Sequence, residues 1–243
     1  MIHFVGAGPG AADLITMRGH QLLTEADVII YAGSLVNPEL LQYAKASCSI
    51  YNSASMTLEE VIDVMKQAEA KNQMTVRLHT GDPSLYGAIR EQMDQLDKDN
   101  ISYDVVPGVS SFCGAAAALK AEYTLPNVSQ SVIITRMAGK TPVPEKEEIA
   151  LLAAHQATMV IFLSTGMLEQ LSQRLLAGGY QTDTPAAIVY KATWNDEKVC
   201  HCTVATLAQT AKEHNITKTA LIIVGNCLGN EYDRSLLYHP LQE

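Results

Sequence analysis

In the first half of the chain, short apolar runs of strand type alternate with amphipathic helical segments. A chain patterned this way can bury its faces in few ways other than a mostly parallel sheet covered by helices. The strand-type runs fall at 2–5, 28–31, 75–79 and 103–106, and the helical ones at 14–26, 58–70 and 85–96. Within 58–70, Leu58, Val61, Ile62, Met65 and Ala68 share one face, while Glu59, Glu60, Asp63 and Lys66 lie elsewhere. Thr57 followed by Glu60 marks the start of that helix as a capping box. A small-residue helix is expected at 110–119, where Ala115 to Ala118 permit close packing. The second half restarts with strands at 131–135, 159–163, 186–190, 198–204 and 220–224 and helices at 168–176 and from 206. A loop carrying Pro and Gly spans 138–144. Because 198–204 runs straight into a helix, the second sheet is expected to be mixed. The reading is α/β, with two α/β domains at 1–113 and 114–243.

Net charge of −9 argues against a general affinity for nucleic acid or an anionic membrane, yet leaves room for an acidic small molecule held by local cations. No apolar run approaches the ~20 residues needed to span a bilayer. The N-terminus enters a strand-like run without a basic stretch or a small-residue cleavage site, so a cytoplasmic protein is expected. Five cysteines, odd in number and scattered, suit reduced thiols rather than a disulfide framework. Cys200-His201-Cys202 has no second Cys or His pair at a zinc-like spacing, so two strand thiols are expected there and no metal site.

In open α/β sheets, ligands bind beyond the carboxyl ends of the strands. Three loops stand at such ends: Gly6-Ala7-Gly8-Pro9-Gly10, Gly81-Asp82-Pro83-Ser84-Leu85-Tyr86-Gly87, and Pro107-Gly108-Val109-Ser110-Ser111. The first resembles a dinucleotide fingerprint. However, the next strand ends at Tyr31-Ala32-Gly33 without the acidic residue that holds a ribose, and Pro9 removes a backbone donor, so NAD and FAD are disfavoured. In the second, Asp82 reads either as a cap for Leu85 or Tyr86 or as part of a ligand site. In the third, Ser110 and Ser111 open a helix, either as ordinary caps or as partners for a carboxylate.

In this order and spacing, these loops resemble the tetrapyrrole methylase family of S-adenosylmethionine-dependent enzymes, over nearly the whole chain from Gly6 to Leu228. The segments 31–36, 53–57, 77–83, 135–137, 139–144 and 192–197 narrow the resemblance to a branch that methylates ring carbon C-11 of a corrin precursor on the way to cobalamin. It implies two domains with a cleft between them, a homodimer, and S-adenosylhomocysteine as product. Carried over by position, the cofactor contacts are Pro9, Thr80, Gly81, Asp82, Leu85, Ser110, Ser111, Leu163, Ala192, Thr219 and Ala220. Departures from the family pattern are Ala11-Ala12-Asp13 after the first loop, Asn195 where proline is common, and Ala32 where enzymes of the first methylations carry an acid.

Methyl transfer from a sulfonium is a direct displacement, so alignment at about 3–3.5 Å and exclusion of water are what the protein must supply. No catalytic acid or base is named, and His79 is expected to be an ordinary, satisfied strand residue. The implied substrate bears acetates and propionates, for which Arg136, Lys140 and Lys191 are the candidate partners. Two other readings are a methylase of the same fold acting elsewhere and a carrier that binds tetrapyrrole or nucleotide without reaction.

Overall fold

The structure, a computed structural model, describes residues 1–238. The chain divides into two compact units, Met1–Gly114 with Thr193–Asn195, and Ala115–Ala192 with Asp196–Glu243.

The first unit is built on five parallel strands: β1 (Ile2–Gly6), β2 (Val28–Tyr31), β3 (Ser49–Asn52), β4 (Thr75–His79) and β5 (Tyr103–Val106). Their order is β3-β2-β4-β1-β5. β1 and β4 are central, and alternation along them feeds two cores. Ile2 and Phe4 pack with Ile30 against α2 (Leu58–Glu69) and α3 (Arg90–Lys98), through Val61, Ile62, Met65 and Leu96. Val5, Val76 and Leu78 face the opposite way, onto Leu23 of α1 (Met17–Glu25) and onto Val36 and Leu40.

The connection that leaves β1 therefore runs over one face, and the one that leaves β4 runs over the other. Adjacent strands whose connections depart to opposite faces open a crevice at their carboxyl ends, the usual ligand position in an open sheet.

The expected capping box is formed. Glu60 N–H donates to Thr57 Oγ1 at 3.2 Å, and Thr57 N–H to Glu60 Oε2 at 2.7 Å. Thr57→Ala should cost about 1 kcal/mol, read as a lower urea midpoint at unchanged slope; an unchanged midpoint would show that tertiary packing alone sets the start of α2.

Three elements differ from the sequence reading. α3 begins at Arg90 rather than 85, because Tyr86 and Ala88 hold φ of 57° and 49°, outside any right-handed helix. β3 was not expected; its four residues are all exposed, so it carries no burial alternation. The region around 14–26 splits into a 3-10 turn at Ala12–Leu14 and then α1, capped by Thr16.

The second unit carries β6 (Val132–Arg136), β7 (Thr158–Phe162), β8 (Pro185–Tyr190), β9 (Lys198–Thr203) and β10 (Ala220–Val224), in the order β6-β7-β10-β8-β9. Only β6 and β7 pair in parallel, so the sheet is mixed. Three helices share its main core: α5 (Ile149–Ala153), which the sequence did not suggest, α6 (Leu168–Ala177) and α7 (Leu207–Glu213). Leu168, Leu171 and Leu175 recur at helical spacing and bury the inner face of α6. α4 (Ser111–Leu119) holds the small-residue run. Among the described residues, no helix is long and apolar enough to cross a membrane.

Candidate functional site

In the first unit, the three glycine-bearing loops meet at the crevice between β1 and β4. Gly8 and Gly81 form an antiparallel bridge, with N–H to O distances of 3.2 Å and 2.8 Å. Gly6 and Gly108 approach so closely that a Cβ on Gly6 would stand 2.5 Å from Gly108 Cα. Only hydrogen fits there, and the loops pack backbone on backbone.

Asp82 joins the second loop to the third. Its Oδ1 accepts from Ser84 N–H at 2.9 Å and from the Ser84 hydroxyl, and its Oδ2 accepts from Gly108 N–H at 2.8 Å. Burial alone would raise its pKa; the hydrogen bonds from Ser84 and Gly108 together outweigh that and hold it below the usual carboxylate range. Asp82 thus closes a turn on Ser84 rather than capping a helix at Leu85 or Tyr86. Leu85, half-buried, donates its N–H to the Asp82 carbonyl at 3.2 Å. Ser110 is buried, and its carbonyl accepts from Cys113 and Gly114 N–H in the first turn of α4.

The first loop is held from two sides. Asn37 Nδ2 donates to the Gly10 carbonyl at 2.9 Å, and Ala11 N–H donates to the Thr193 hydroxyl at 3.0 Å. Pro9 lies against Gly114, where any Cβ would come within 2.7 Å of the Pro9 ring. The sequence reading missed Asn37, which lies outside every motif, and met Thr193 only as part of the 192–197 segment, with no role assigned to it.

Behind the second loop, β4 carries an unusual buried pair. Arg77 is 7% exposed and His79 is 3% exposed. Arg77 Nε donates to Gln92 Oε1 at 3.1 Å and Nη1 to the Ile30 carbonyl at 3.1 Å. Gln92 Nε2 in turn donates to the Ala88 carbonyl at 2.9 Å, which anchors the turn in which Tyr86 and Ala88 hold positive φ. Desolvation lowers the Arg77 pKa to about 10, so it stays charged at neutral pH. Burial first, and the Arg77 charge second, press His79 down to about 3, so its imidazole is neutral. Contrary to the sequence expectation, His79 is not satisfied: its Nε2 has no hydrogen-bond partner, nor has Thr80 Oγ1. Each such orphan costs about 1–3 kcal/mol unless something pairs with it.

In the second unit, the residues carried over by position gather at one end of the sheet. β10 runs antiparallel to β7 and β8, so the start of β10 lies beside their carboxyl ends. Leu163, Lys191 and Thr219 there hold φ of 52°, 47° and 58°, a left-handed conformation that side chains resist. Leu163 is also 63% exposed, an apolar side chain held in strain at a strand end. Lys191 N–H donates to the Thr219 carbonyl at 3.1 Å, and Thr165 Oγ1 to the Ala220 carbonyl at 3.2 Å. Ala192 and Ala220 are buried beside them.

The three candidate cations stand at the same end in different states. Arg136 spends its guanidinium on backbone carbonyls: Thr141 at 2.9 Å, Met137 at 3.2 Å and Pro142 at 2.8 Å. It therefore shapes the 137–142 loop. Lys191 pairs with Asp196 at 2.6 Å and lies 5.4 Å from the Tyr190 ring centroid; its hydrogen bond to Asp196 raises its pKa. Lys140 is exposed. Cys200 and Cys202 are free thiols on β9, and no cluster of three or more metal-ligating side chains occurs among the described residues.

Residues 1–208 match the model of the tetrapyrrole (corrin/porphyrin) methylases. The chain belongs to the tetrapyrrole methylase family. It is 55% identical over 228 residues to the cobalt-precorrin-4 C(11)-methyltransferase of Methanocaldococcus jannaschii, spanning 94% of this chain and 88% of that one. To the precorrin-4 C(11)-methyltransferase of Mycobacterium tuberculosis it is 43% identical over 239 residues, 98% of this chain and 95% of that one. Its fold superposes on the X-ray structure of a cobalt precorrin-4 methyltransferase described as a cobalamin biosynthetic enzyme, with a TM-score of 0.92, 43% identity and coverage of 94% and 96%. In this tetrapyrrole methylase, the strand-end loops of both units are the parts that its sequence resemblance assigns to ligand.

Proposed function

We propose that this chain methylates C-11 of precorrin-4 or cobalt-precorrin-4, with S-adenosylmethionine as donor, yielding the corresponding precorrin-5 on the route to cobalamin. The observation that carries this reading is identity of 43–55% across almost the entire length to relatives named for that reaction. The donor fits the residues present. The orphaned Thr80 hydroxyl, beside the Gly81 turn, offers it a hydrogen bond.

When bound, S-adenosylmethionine supplies a methyl group on a sulfonium and departs as the neutral thioether S-adenosylhomocysteine. Pro9, Thr80, Gly81, Asp82, Leu85, Ser110 and Ser111 in the first unit, and Leu163, Ala192, Thr219 and Ala220 in the second, are its proposed contacts. Asp82 takes part through its backbone, because its carboxylate is occupied by Ser84 and Gly108. The protein's contribution is alignment and exclusion of water, for which strained, multiply bonded loops are suited. We assign the enzyme to the cytoplasm and to a homodimer on the family resemblance.

Methyl-labelled S-adenosylmethionine incubated with precorrin-4 or its cobalt complex, followed by NMR of the product, tests the reading. Label at C-11 supports it. Label on another carbon keeps the family and replaces the position; no transfer with donor bound favours a carrier.

Arg136→Ala is expected to weaken cobalt-precorrin-4 binding about tenfold, because three loop carbonyls lose their donor and the local positive charge goes with it. Arg136→Lys, which keeps the charge but not the planar fork, separates the two causes. Fluorescence titration of both variants checks this, and unchanged tetrapyrrole affinity in the alanine variant removes Arg136 from the site.

A further inference from the structure

We propose that His79 is a ligand-binding residue whose imidazole, with the Arg77 guanidinium behind it, receives a carboxylate oxygen of a bound substrate at the carboxyl end of β4. This inference rests on the methyltransferase reading and names a contact within that site.

The described residues hold three buried side-chain polar atoms without a partner: Thr75 Oγ1, His79 Nε2 and Thr80 Oγ1. Thr75 starts β4, far from the loops, whereas His79 and Thr80 are consecutive and lead directly into the Gly81 turn. Neither neighbour of the His79 ring can satisfy it. Its register partner on β1 is Gly6, which has no side chain, and the ring beside it is Phe4, with centroids 6.1 Å apart. An apolar side chain would fill that space without an unpaired nitrogen, so packing gives no reason for a histidine here.

Strand alternation places Arg77 on the same face as His79. Both acceptors of Arg77 are neutral, the Gln92 amide and the Ile30 carbonyl, and no carboxylate pairs with it among the described residues. A buried cation without a counter-ion gives its surroundings a positive potential, which favours an anionic acceptor at the neighbouring imidazole. The imidazole is itself uncharged, so its N–H can donate without a second charge being buried. Carboxylates occur on both proposed substrates: the methionine portion of S-adenosylmethionine and the acetate and propionate arms of the tetrapyrrole. The chemistry is shared, and binding measurements separate the sources.

Three probes are titrated calorimetrically against the wild-type chain and His79→Leu: S-adenosylhomocysteine, 5′-methylthioadenosine, which keeps the nucleoside thioether but lacks the carboxylate, and cobalt-precorrin-4. The leucine variant is expected to lose about tenfold in affinity for one carboxylate-bearing probe, to bind methylthioadenosine as before, and to melt no lower than wild type. Loss for S-adenosylhomocysteine assigns the contact to the donor; loss for cobalt-precorrin-4 assigns it to the tetrapyrrole. His79→Gln, which retains a donor, should recover part of the loss, and His79→Phe serves the same comparison where the leucine variant does not fold. Unchanged affinity for both carboxylate-bearing probes overturns the inference, as does an equal loss for methylthioadenosine. A wild-type chain that binds no S-adenosylhomocysteine would instead remove the methyltransferase reading.

Discussion

Replacing Asp82 with asparagine is expected to weaken S-adenosylhomocysteine binding about a hundredfold and to lower the melting temperature by about 5–10 °C. One carboxylate serves Ser84 N–H, the Ser84 hydroxyl and Gly108 N–H. An amide has a single oxygen, so its NH2 group must face one of the two backbone N–H groups. Losing a charge-assisted acceptor and leaving a donor unpaired costs about 2–3 kcal/mol, and each kcal/mol moves the melting point of a chain this size by about 2–4 °C. The damage falls on the third loop, whose position depends on the Gly108 bond, and from there on Ser110 and Ser111.

The same bonds set a pH dependence. The folded-state pKa of Asp82 lies below its ordinary value. Its stabilisation is therefore complete above the unfolded value of about 4 and is lost as pH falls through the folded value. The acid limb of a stability-versus-pH curve should be shallower in the asparagine variant. Wild-type melting and affinity in Asp82→Asn would show that the carboxylate does not couple the two loops.

Gly108→Ala should be more severe still. The added Cβ would stand 2.2 Å from the Gly81 carbonyl oxygen and 2.7 Å from Gly6 Cα, and both obstacles are backbone that no rotamer change can remove. Separating the loops is expected to cost at least about 3 kcal/mol and to abolish methyl transfer. Gly166→Ala is the control, since a Cβ there meets nothing within 4 Å. Thermal melts paired with the labelled-methyl assay read both effects. An alanine variant with wild-type transfer would mean that the three loops need not be packed backbone on backbone.

How much of this could be read from the sequence differs from element to element. α2 was readable because its apolar stripe, its cap and its N3 glutamate all agree. The mixed second sheet followed from a strand that runs directly into a helix. β3 was invisible, because a four-residue edge strand with every side chain exposed has no inside and outside to compare. The stretch 85–89 read as helix because Leu85, Tyr86 and Ile89 have helical spacing; the anchor that overrides it, Gln92 on the Ala88 carbonyl, is a tertiary contact.

At the site, glycine types signalled close approach, but which glycine meets which is decided by strand order. Arg136 advertises its charge as a partner for an anion; the loop carbonyls it also bonds could not be foreseen, because every residue possesses one and no sequence distinguishes them. Arg77 was the signal overlooked: a charge inside a fully buried strand marks a position where burial has been tolerated for a reason.

The tie between Ala11 and Thr193 joins residues 182 positions apart, and Thr193–Asn195 clusters with the first unit. During synthesis at about 5–20 residues per second, the five parallel strands can assemble many seconds before that segment leaves the ribosome. The first glycine loop must wait for it. A nascent chain stalled after α4 should therefore protect its β-sheet amides from hydrogen exchange while the Ala11 amide still exchanges freely, and the loop would set only when the 193–195 segment has emerged.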